Sequence, residues 1–524
     1  MVGRLDPQRW RLRAAQYLKI VGSGLLMWAA FPELSLWLMA FPSLVLLFSA
    51  VTETSLPRAA WYGALWAMVF FVPHISWIDV ATDGATVPWL LLCLAQAAFI
   101  ALWAVIFVLL QRWPWANTWW GTIIVAATTW TGIEQLRARI PYGGFPWAKV
   151  AYSQVEGPLL GLAPTGGETL VTWWTAAVAA GALVAVRTVG KRPALGWSLA
   201  CGSAAALLAP ALIVLPTDPQ TGTLQAAAIQ GNVAIPMVDT YGNAGEVTSN
   251  HVDQTLAMVR GGGHPEVVFW GEDSIDRDPN ENATTAAMVE QVLQATGVPL
   301  VAGYQEHFDG YRLNWVSVWY PGTGQSDTRY GKQHPVPWGE FIPMRELSYR
   351  IAAESALIAV DMHPVDNPGF MEVQLNSGQV LPVALGICFE VGDEFILAEG
   401  VRIGGQLLYV PTNNAQFQYS AESTQQLQML QFRSAEFGRA GLQVSTNGVS
   451  AVVSPDGTVL QQTPKQVPAY LEATLPLRQS LTVAAVLGQW PALILIALTL
   501  GAPIASVAVR GVAQARKRQE GRNA

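Results

Sequence analysis

Three side chains of complementary chemistry stand at the ends of strand-like runs: a carboxylate, an ammonium and a thiol. Glu272 follows Val267-Val268-Phe269-Trp270, Lys332 follows Thr328-Arg329-Tyr330, and Cys388 closes the apolar run 381–387. A free thiol with a pKa near ~8.5 is only a few per cent thiolate at neutral pH. A carboxylate such as Glu272 can take its proton, and an ammonium such as Lys332 favours the anion and can steady an oxyanion on an attacked carbonyl. Each residue also has a plainer reading: Cys388 as a small core hydrophobe, the other two as solvated loop residues. Lys332 fits the plain reading least, because it is boxed by Pro335-Val336-Pro337-Trp338-Gly339-Glu340-Phe341-Ile342-Pro343.

The elements that must position them alternate. Strand patterns at 224–230, 266–270, 299–303, 313–320, 326–330, 372–374, 380–387 and 406–409 are interleaved with helical patterns at 247–259, 284–295 and 423–437, and a strand pair at 443–459 turns at Asp456-Gly457. That is a layered α/β domain, large enough to bury a full core. After Cys388 come Glu390, Asp393 and Glu394, then a short amphipathic helix at 395–399. A cysteine facing a helix start meets unpaired N–H groups and a positive dipole end, both of which favour a thiolate. Cys93 and Cys201 lie in apolar runs, so Cys388 is the one cysteine of the polar region, and no disulfide framework or CxxC pair is available. The six histidines lack metal-ligand spacing, and P-loop, GxSxG and HExxH motifs are missing. No cofactor or metal is expected.

Composition sets this domain on a membrane. The 524 residues are only 13% charged and include 22 Trp, and the mean hydropathy is +0.29, too apolar for a soluble enzyme of this size. Apolar segments fall at 16–31, 34–51, 58–77, 87–111, 117–136, 168–187, 195–215 and 481–509, giving about eight spans, the first two as a tight hairpin. Residues 216–480 carry 12 Lys/Arg against 28 Asp/Glu, the remainder 18 against 9. An acidic domain is thus inserted into a basic-flanked membrane part, which argues against nucleic acid as a partner. The division expected is a membrane domain 1–215, an extracytoplasmic domain 216–480, and a last span with a basic tail 481–524. The basic N-terminus (Arg4, Arg9, Arg11, Arg13), Arg58, Arg112, the Arg187/Lys191/Arg192 loop and the Arg516-Lys517-Arg518 cluster share one side, outvoting Arg137, Arg139 and Lys149. That side is cytoplasmic by the positive-inside rule, as are both termini. Trp residues near the span ends, Trp77 among them, read as interfacial anchors. Glu134 is either functional or snorkelling to the interface. The outward loop 141–147, Pro-Tyr-Gly-Gly-Phe-Pro-Trp, is either a surface turn or a wall of a lipid-access site.

Glu272 at a strand end, Tyr330-x-Lys332 running into Val336-Pro337-x-Gly339-Glu340-x-x-Pro343, and Gly386-Ile387-Cys388-Phe389-Glu390, in that order, resemble the carbon–nitrogen hydrolase (nitrilase) superfamily. With the span pattern they resemble its membrane-bound branch, the bacterial apolipoprotein N-acyltransferases. The likeness runs almost end to end. It takes in Gly144-Phe145-Pro146-Trp147, Tyr152-Ser153-Gln154, Gln230-Gly231-Asn232, Thr412-Asn413-Asn414-Ala415 with Phe417, residues 425–439 and Thr446-Asn447-Gly448.

The resemblance implies a polytopic α-helical membrane domain bearing an inserted nitrilase-like αββα sandwich. It implies a monomer in the bacterial cytoplasmic (inner) membrane, with the catalytic domain on the outer face. Cys388 would attack a phospholipid acyl ester, giving a thioester and a lysophospholipid. The α-amino group of a diacylglyceryl-cysteine apolipoprotein would then take the acyl chain. Glu272 would serve as base and Lys332 as oxyanion support, with Glu340 and Glu390 assisting and Trp147 and Phe417 contacting substrate. Four positions depart from the family: Gly271 for a proline, Pro335 for an apolar residue, Gln416 for a tryptophan and Gln426 for a histidine. Two rival readings are a membrane-anchored amidase or nitrilase, in which water resolves the thioester, and a non-enzymatic lipid or peptide carrier. Loss of one of the three residues would mark the carrier, and all three stand.

Overall fold

The structure is a computed structural model describing residues 7–233, 245–352, 355–356 and 358–504, with side chains from residue 13 onward. The basic side chains of Arg4, Arg9 and Arg11 and the cluster 516–518 lie outside the described residues.

Each apolar segment up to residue 215 is helical. The helices are α1 (Pro7–Ala29), α2 (Ala40–Val51), α3 (Leu56–His74), α4 (Trp77–Ala81), α5 (Thr86–Leu110), α6 (Trp119–Arg137), α7 (Ala163–Val189) and α8 (Pro193–Leu208). Proline in the first turn of α3, α7 and α8 sets φ where no N–H is needed. Among the described residues three helical stretches are long and apolar enough to cross a membrane: Thr86–Leu110, Pro158–Val189 and Pro193–Leu212. Trp37–Val51 and Trp490–Ile504 are shorter apolar helices. The first two segments do pair, because Ser23 and Ser43 exchange hydroxyl-to-carbonyl bonds of 2.7 Å, and Trp66 Nε1 on α3 donates to Ser23 Oγ at 2.8 Å. The α7 segment is interrupted at Gly166 and Gly167, the latter at φ +62°. A Cβ on Gly167 would lie 2.2 Å from Glu436 Oε1, so glycine here admits a side chain of the polar domain.

The polar domain holds two sheets. The first contains β1 (Gly222–Gln230), β2 (Val267–Phe269), β3 (Leu300–Phe308), β4 (Tyr311–Tyr320), β5 (Gly324–Gly331) and β6 (Asp361–Met362). The second contains β7 (Phe370–Gln374), β8 (Val380–Leu385), β9 (Leu407–Thr412), β10 (Ala440–Ser445), β11 (Ala451–Val453) and β12 (Val459–Gln462). Strand β13 (Ala469–Leu477) returns to the first sheet, pairing antiparallel with β1 from Gly222↔Leu477 to Gln230↔Ala469. The orders are β13-β1-β2-β3-β4-β5, with β6 on β4, and β12-β11-β10-β9-β8-β7.

Facing residues of the two sheets, among them Phe269, Val301, Val316, Val383, Leu385, Tyr409 and Leu442, make one buried core. Helices α9 (Glu246–Arg260) and α10 (Ala283–Thr296) cover the outer face of the first sheet through Val252, Met258, Val289 and Val292. A short helix α11 (Arg345–Ile351) follows the proline-rich loop. Helices α12 (Glu394–Arg402) and α13 (Glu422–Phe437) cover the second sheet, and their other side continues into the apolar core of the membrane part with Phe145, Trp147, Tyr152 and Leu159. The αββα sandwich therefore rests on the membrane part through α12 and α13. A last short helix, α14 (Val483–Leu487), leads back to that part.

Two local expectations are corrected. β10 runs parallel to β9, and the turn at Asp456-Gly457 joins β11 to β12. Strand β8 ends at Leu385, so Cys388 opens a separate 3-10 turn, Cys388–Gly392, instead of closing the strand.

Candidate active site

Glu272 leaves β2 by way of Trp270 and Gly271. Trp270 is buried, donates from Nε1 to Thr255 Oγ1 at 3.1 Å, and its carbonyl accepts the Tyr409 hydroxyl. A Cβ on Gly271 would stand 2.9 Å from Thr446 N and 3.0 Å from Thr412 O, so the departure from proline matches a close backbone approach to β9 and β10. The Glu272 carboxylate accepts from Lys332 Nζ at 3.0 Å and Asn314 Nδ2 at 2.8 Å on Oε1, and from Asn413 N at 3.0 Å on Oε2. Burial pushes its pKa up to about 7; Lys332 opposes the rise, and the charges of Asp273 and Glu340 add to it. A carboxylate poised there is matched to base work near neutrality.

Lys332 leaves β5, its N–H donating to Asn314 O at 2.9 Å and its carbonyl accepting from Val365 N at 2.9 Å. Its ammonium is fully buried and pairs with Glu340 Oε1 at 2.5 Å as well as with Glu272. Burial alone would lower the pKa of such a lysine. The two carboxylates outweigh it and hold the group well above its ordinary value. Glu340 Oε2 accepts from Val336 N at 2.7 Å, folding the proline-rich loop back onto the lysine, with Pro335 buried in it.

Glu390 makes no bond to Lys332. Its buried carboxylate collects four donors: Ile387 N at 2.7 Å, Tyr330 OH at 2.9 Å, Gln333 N at 2.7 Å and His334 N at 2.9 Å. It ties the lysine loop to the cysteine turn.

Cys388 sits at φ +55°, a left-handed conformation uncommon for a side chain with a Cβ. The helix-dipole expectation is corrected. Helix α12 starts only at Glu394, and the Asp393 carboxylate caps it, accepting from Phe395 N at 3.0 Å. The Glu390 amide is spent on Ile387 O at 3.1 Å. Burial, reinforced by the Glu272 charge, raises the thiol well above its ordinary value, with Lys332 opposing. The resting group is therefore a neutral thiol. Among the described residues the one side-chain hydrogen bond to its sulfur comes from Gln426 Nε2 at 3.5 Å. Glu272 and Lys332 are bonded to each other, and both act on the sulfur electrostatically.

Beside the sulfur stands an aromatic wall drawn from both parts of the chain. Phe389 stacks on Trp147 with centroids 5.3 Å apart and packs at 6.2 Å from Phe145. Trp77 meets Trp147 at 5.6 Å and Phe417 edge-on at 5.3 Å. Gln425 Oε1 accepts from Trp77 Nε1 at 3.1 Å and Trp147 Nε1 at 2.8 Å. The Phe145–Trp147 loop is fixed from below by Arg137, which donates to the carbonyls of Phe145, Trp147 and Ala148 at 3.0, 2.8 and 2.8 Å. Trp147 and Phe417 are both part of this wall, and Trp77, buried at the end of the membrane part, packs into it as well. Gln416 is exposed. Asn314 and Glu422 carry no local sequence signal and Trp77 reads only as an interfacial anchor, whereas Asn413, Asn414, Gln425 and Gln426 fall within the motifs that carry the resemblance.

Comparison with known proteins adds the family context. Residues 23–181 match the family model for the apolipoprotein N-acyltransferase N-terminal domain, and residues 258–482 match that for carbon–nitrogen hydrolase. A Mycolicibacterium smegmatis protein named apolipoprotein N-acyltransferase is 32% identical over 509 residues, covering 90% of this chain and 82% of its own length. A Pseudomonas putida protein of the same name is 30% identical, covering 90% of this chain and 93% of its own. Among solved structures, an amidase from Nesterenkonia sp. is 16% identical with a TM-score of 0.36, covering 50% of this chain and 94% of that one.

Proposed function

Because the chain belongs to the apolipoprotein N-acyltransferase family, we propose that Cys388 carries an acyl chain from a phospholipid to the α-amino group of a lipoprotein's N-terminal diacylglyceryl-cysteine. Glu272 takes the thiol proton as substrate arrives. The sulfur bonds to the ester carbonyl carbon, the C–O bond breaks, and the proton passes to the lysophospholipid oxygen. The amine then attacks the thioester, and Glu272 relays the amine's proton to the departing sulfur. The Lys332 ammonium supports both oxyanions, with the Phe389 amide as its partner once Glu390 N is taken. Such donors are each worth about 3 kcal/mol. Glu340 and Glu390 act as positioning residues.

The reading is carried by one observation: a fully buried Lys332 bonded to Glu272 and Glu340, within electrostatic reach of a cysteine whose neighbour Phe389 lies against Trp147. On this reading the acyl chain lies along the aromatic wall, which begins at the residue after Cys388 and is built where the membrane part meets the sandwich. The same reading places residues 1–215 and 481–524 in the bacterial inner membrane as about eight spans. It puts both termini in the cytoplasm and residues 216–480 outside, as a monomer.

The test is to incubate the purified full chain with defined phospholipid vesicles, with and without a diacylated lipopeptide. The expected result is an acyl adduct on Cys388 by intact and peptide mass without the acceptor, and an amide-linked triacylated lipopeptide with it. Free fatty acid in both reactions and no amide would overturn the transferase reading in favour of a hydrolase.

A further inference from the structure

We propose that Gln426 is a further catalytic residue: its Nε2 amide holds the Cys388 sulfur in place and stabilises it as an anion, and Asn414 fixes which end of that amide faces the sulfur. This deepens the acyl-transfer reading above and rests on it.

The polarity of the contact follows from a chain of hydrogen bonds that begins at a backbone donor. Gly448 N donates to Ser445 Oγ at 2.7 Å, which leaves the Ser445 proton to go to Asn414 Oδ1 at 2.6 Å. Thr412 Oγ1 donates to the same oxygen at 2.9 Å. With its oxygen so placed, Asn414 must turn its Nδ2 the other way, where it donates to Gln426 Oε1 at 3.1 Å and Glu422 Oε2 at 2.7 Å. Gln426 therefore presents N–H, not oxygen, to the sulfur. Ser445, Asn414, Gln426 and Glu422 are all essentially fully buried, so water does not compete for these bonds and reversing one amide would misalign the whole chain.

An anion is formed on this sulfur twice in the exchange. It forms first when the S–H proton leaves for Glu272, before the carbon–sulfur bond is made. It forms again when the amine nitrogen has bonded to the thioester carbon and the carbon–sulfur bond breaks with its electron pair on sulfur. An N–H aimed at that atom in a buried site favours both events over the neutral thiol. Glu422 is compatible with this role. Burial pushes its pKa up to about 8, with the Asn414 bond and Lys465 opposing and the Glu272 charge adding to the rise. Near neutrality it is mostly in the acid form, so little of the Glu422 charge that would raise the thiol is present.

The test compares the full chain with Gln426→Met, which keeps length and removes the donor, and Gln426→His, which restores an N–H. The readout is the pH profile of Cys388 alkylation by iodoacetamide, separated from Cys93 and Cys201 by peptide mass. Expected is a rise of about one pH unit in the Q426M midpoint, hence roughly tenfold slower alkylation at neutral pH. Q426H should recover to within about threefold of the parent. A Q426M profile superimposable on the parent, or a Q426H profile no better than Q426M, overturns the proposal. Should Q426M not accumulate in membranes, Gln426→Ala is read against the same profile. Failure of the parent to acylate Cys388 from phospholipid overturns the transferase reading instead, while the alkylation profile judges Gln426 separately.

Discussion

Arg433 Nη2 lies 2.8 Å from Glu168 Oε2, and the two residues belong to different halves of the protein. Glu168 follows the glycine break in α7, where Lys149 pairs with it and the Tyr152 hydroxyl donates to it at 2.7 Å. Arg433 projects from α13, pairs with Glu436 at 2.6 Å, and donates to the carbonyls of Val391 at 3.1 Å and Gly392 at 3.0 Å. One buried guanidinium thus joins the membrane part to the turn that opens on Cys388.

Removing that guanidinium leaves buried Glu436 without its cation, while Glu168 keeps Lys149 and the Tyr152 hydroxyl. Breaking a buried pair from one side costs about 3–5 kcal/mol, so Arg433→Met is expected to lower thermal stability in detergent and to slow Cys388 acylation. Arg433→Lys keeps the charge but loses the fork and is expected to fall between. Differential scanning of the solubilised variants checks this; an R433M midpoint equal to the parent's contradicts it.

Glu272 sets the pH dependence. With its pKa pushed up to about 7, the base form predominates above that pH and is lost below it. Cys388 acylation should therefore fall as pH drops below 7, roughly tenfold per unit once the acid form dominates. Glu272→Gln can keep its oxygen for Lys332 and Asn314, but it turns an NH2 toward Asn413 N and cannot take a proton. Its expected rate is about a hundredfold lower or less, with the acid limb abolished. Single-turnover acylation measured from pH 5 to 8 decides it; a limb that survives in E272Q assigns the titration elsewhere.

Lys332 and Cys388 stand out in the sequence because the runs around them are distinctive in combination, whereas the run around Glu272 is weak alone and gains from its order ahead of the other two. The helical segments were legible because apolar runs of that length have few other uses. The surroundings of the sulfur were not. A cysteine after an apolar run looks like a strand end, but β8 stops at Leu385, and the 3-10 turn separates Cys388 from α12. The thiolate-favouring dipole expected there is capped by Asp393, and the resting thiol is raised instead. Trp77, Asn314 and Glu422 lie in ordinary helix and strand sequence and reach the site only by long-range packing. β13 is not legible in the sequence because its half-exposed alternation on the sheet edge carries little apolar signal.

The aromatic wall predicts acyl-chain selectivity. Trp77 contacts both Trp147 and Phe417 and shares Gln425 with Trp147. Trp77→Ala opens the wall on the side of the membrane part while leaving Cys388, Glu272 and Lys332 untouched. Burying each methylene of a donor chain is worth roughly 0.8 kcal/mol, so long-chain donors should lose more than short-chain ones. Acylation of Cys388 by a series of phospholipids of graded chain length measures this. Equal losses across the series would remove the wall from the acyl path.

Glu340 and Glu390 are separable by what each accepts. Glu390 gathers three backbone N–H groups and a phenol, so Glu390→Gln turns an NH2 toward donors and leaves at least one of them unpaired in a buried site. A buried unpaired donor costs about 1–3 kcal/mol, and here the cost falls on the joint between the lysine loop and the cysteine turn. E390Q is therefore expected to lose stability and acylation together. Glu340 instead supplies the second charge that holds Lys332 protonated, while its other oxygen needs only the Val336 N–H. A Glu340→Gln side chain that keeps this N–H bond turns its NH2 toward the Lys332 ammonium, but Lys332 retains Glu272 and Glu340 is partly exposed. E340Q should therefore lose less stability than E390Q, yet acylate Cys388 about tenfold more slowly. Thermal midpoints and single-turnover rates on the two variants separate the roles. An E340Q that loses stability without a specific loss of rate would make Glu340 a loop fastener like Glu390.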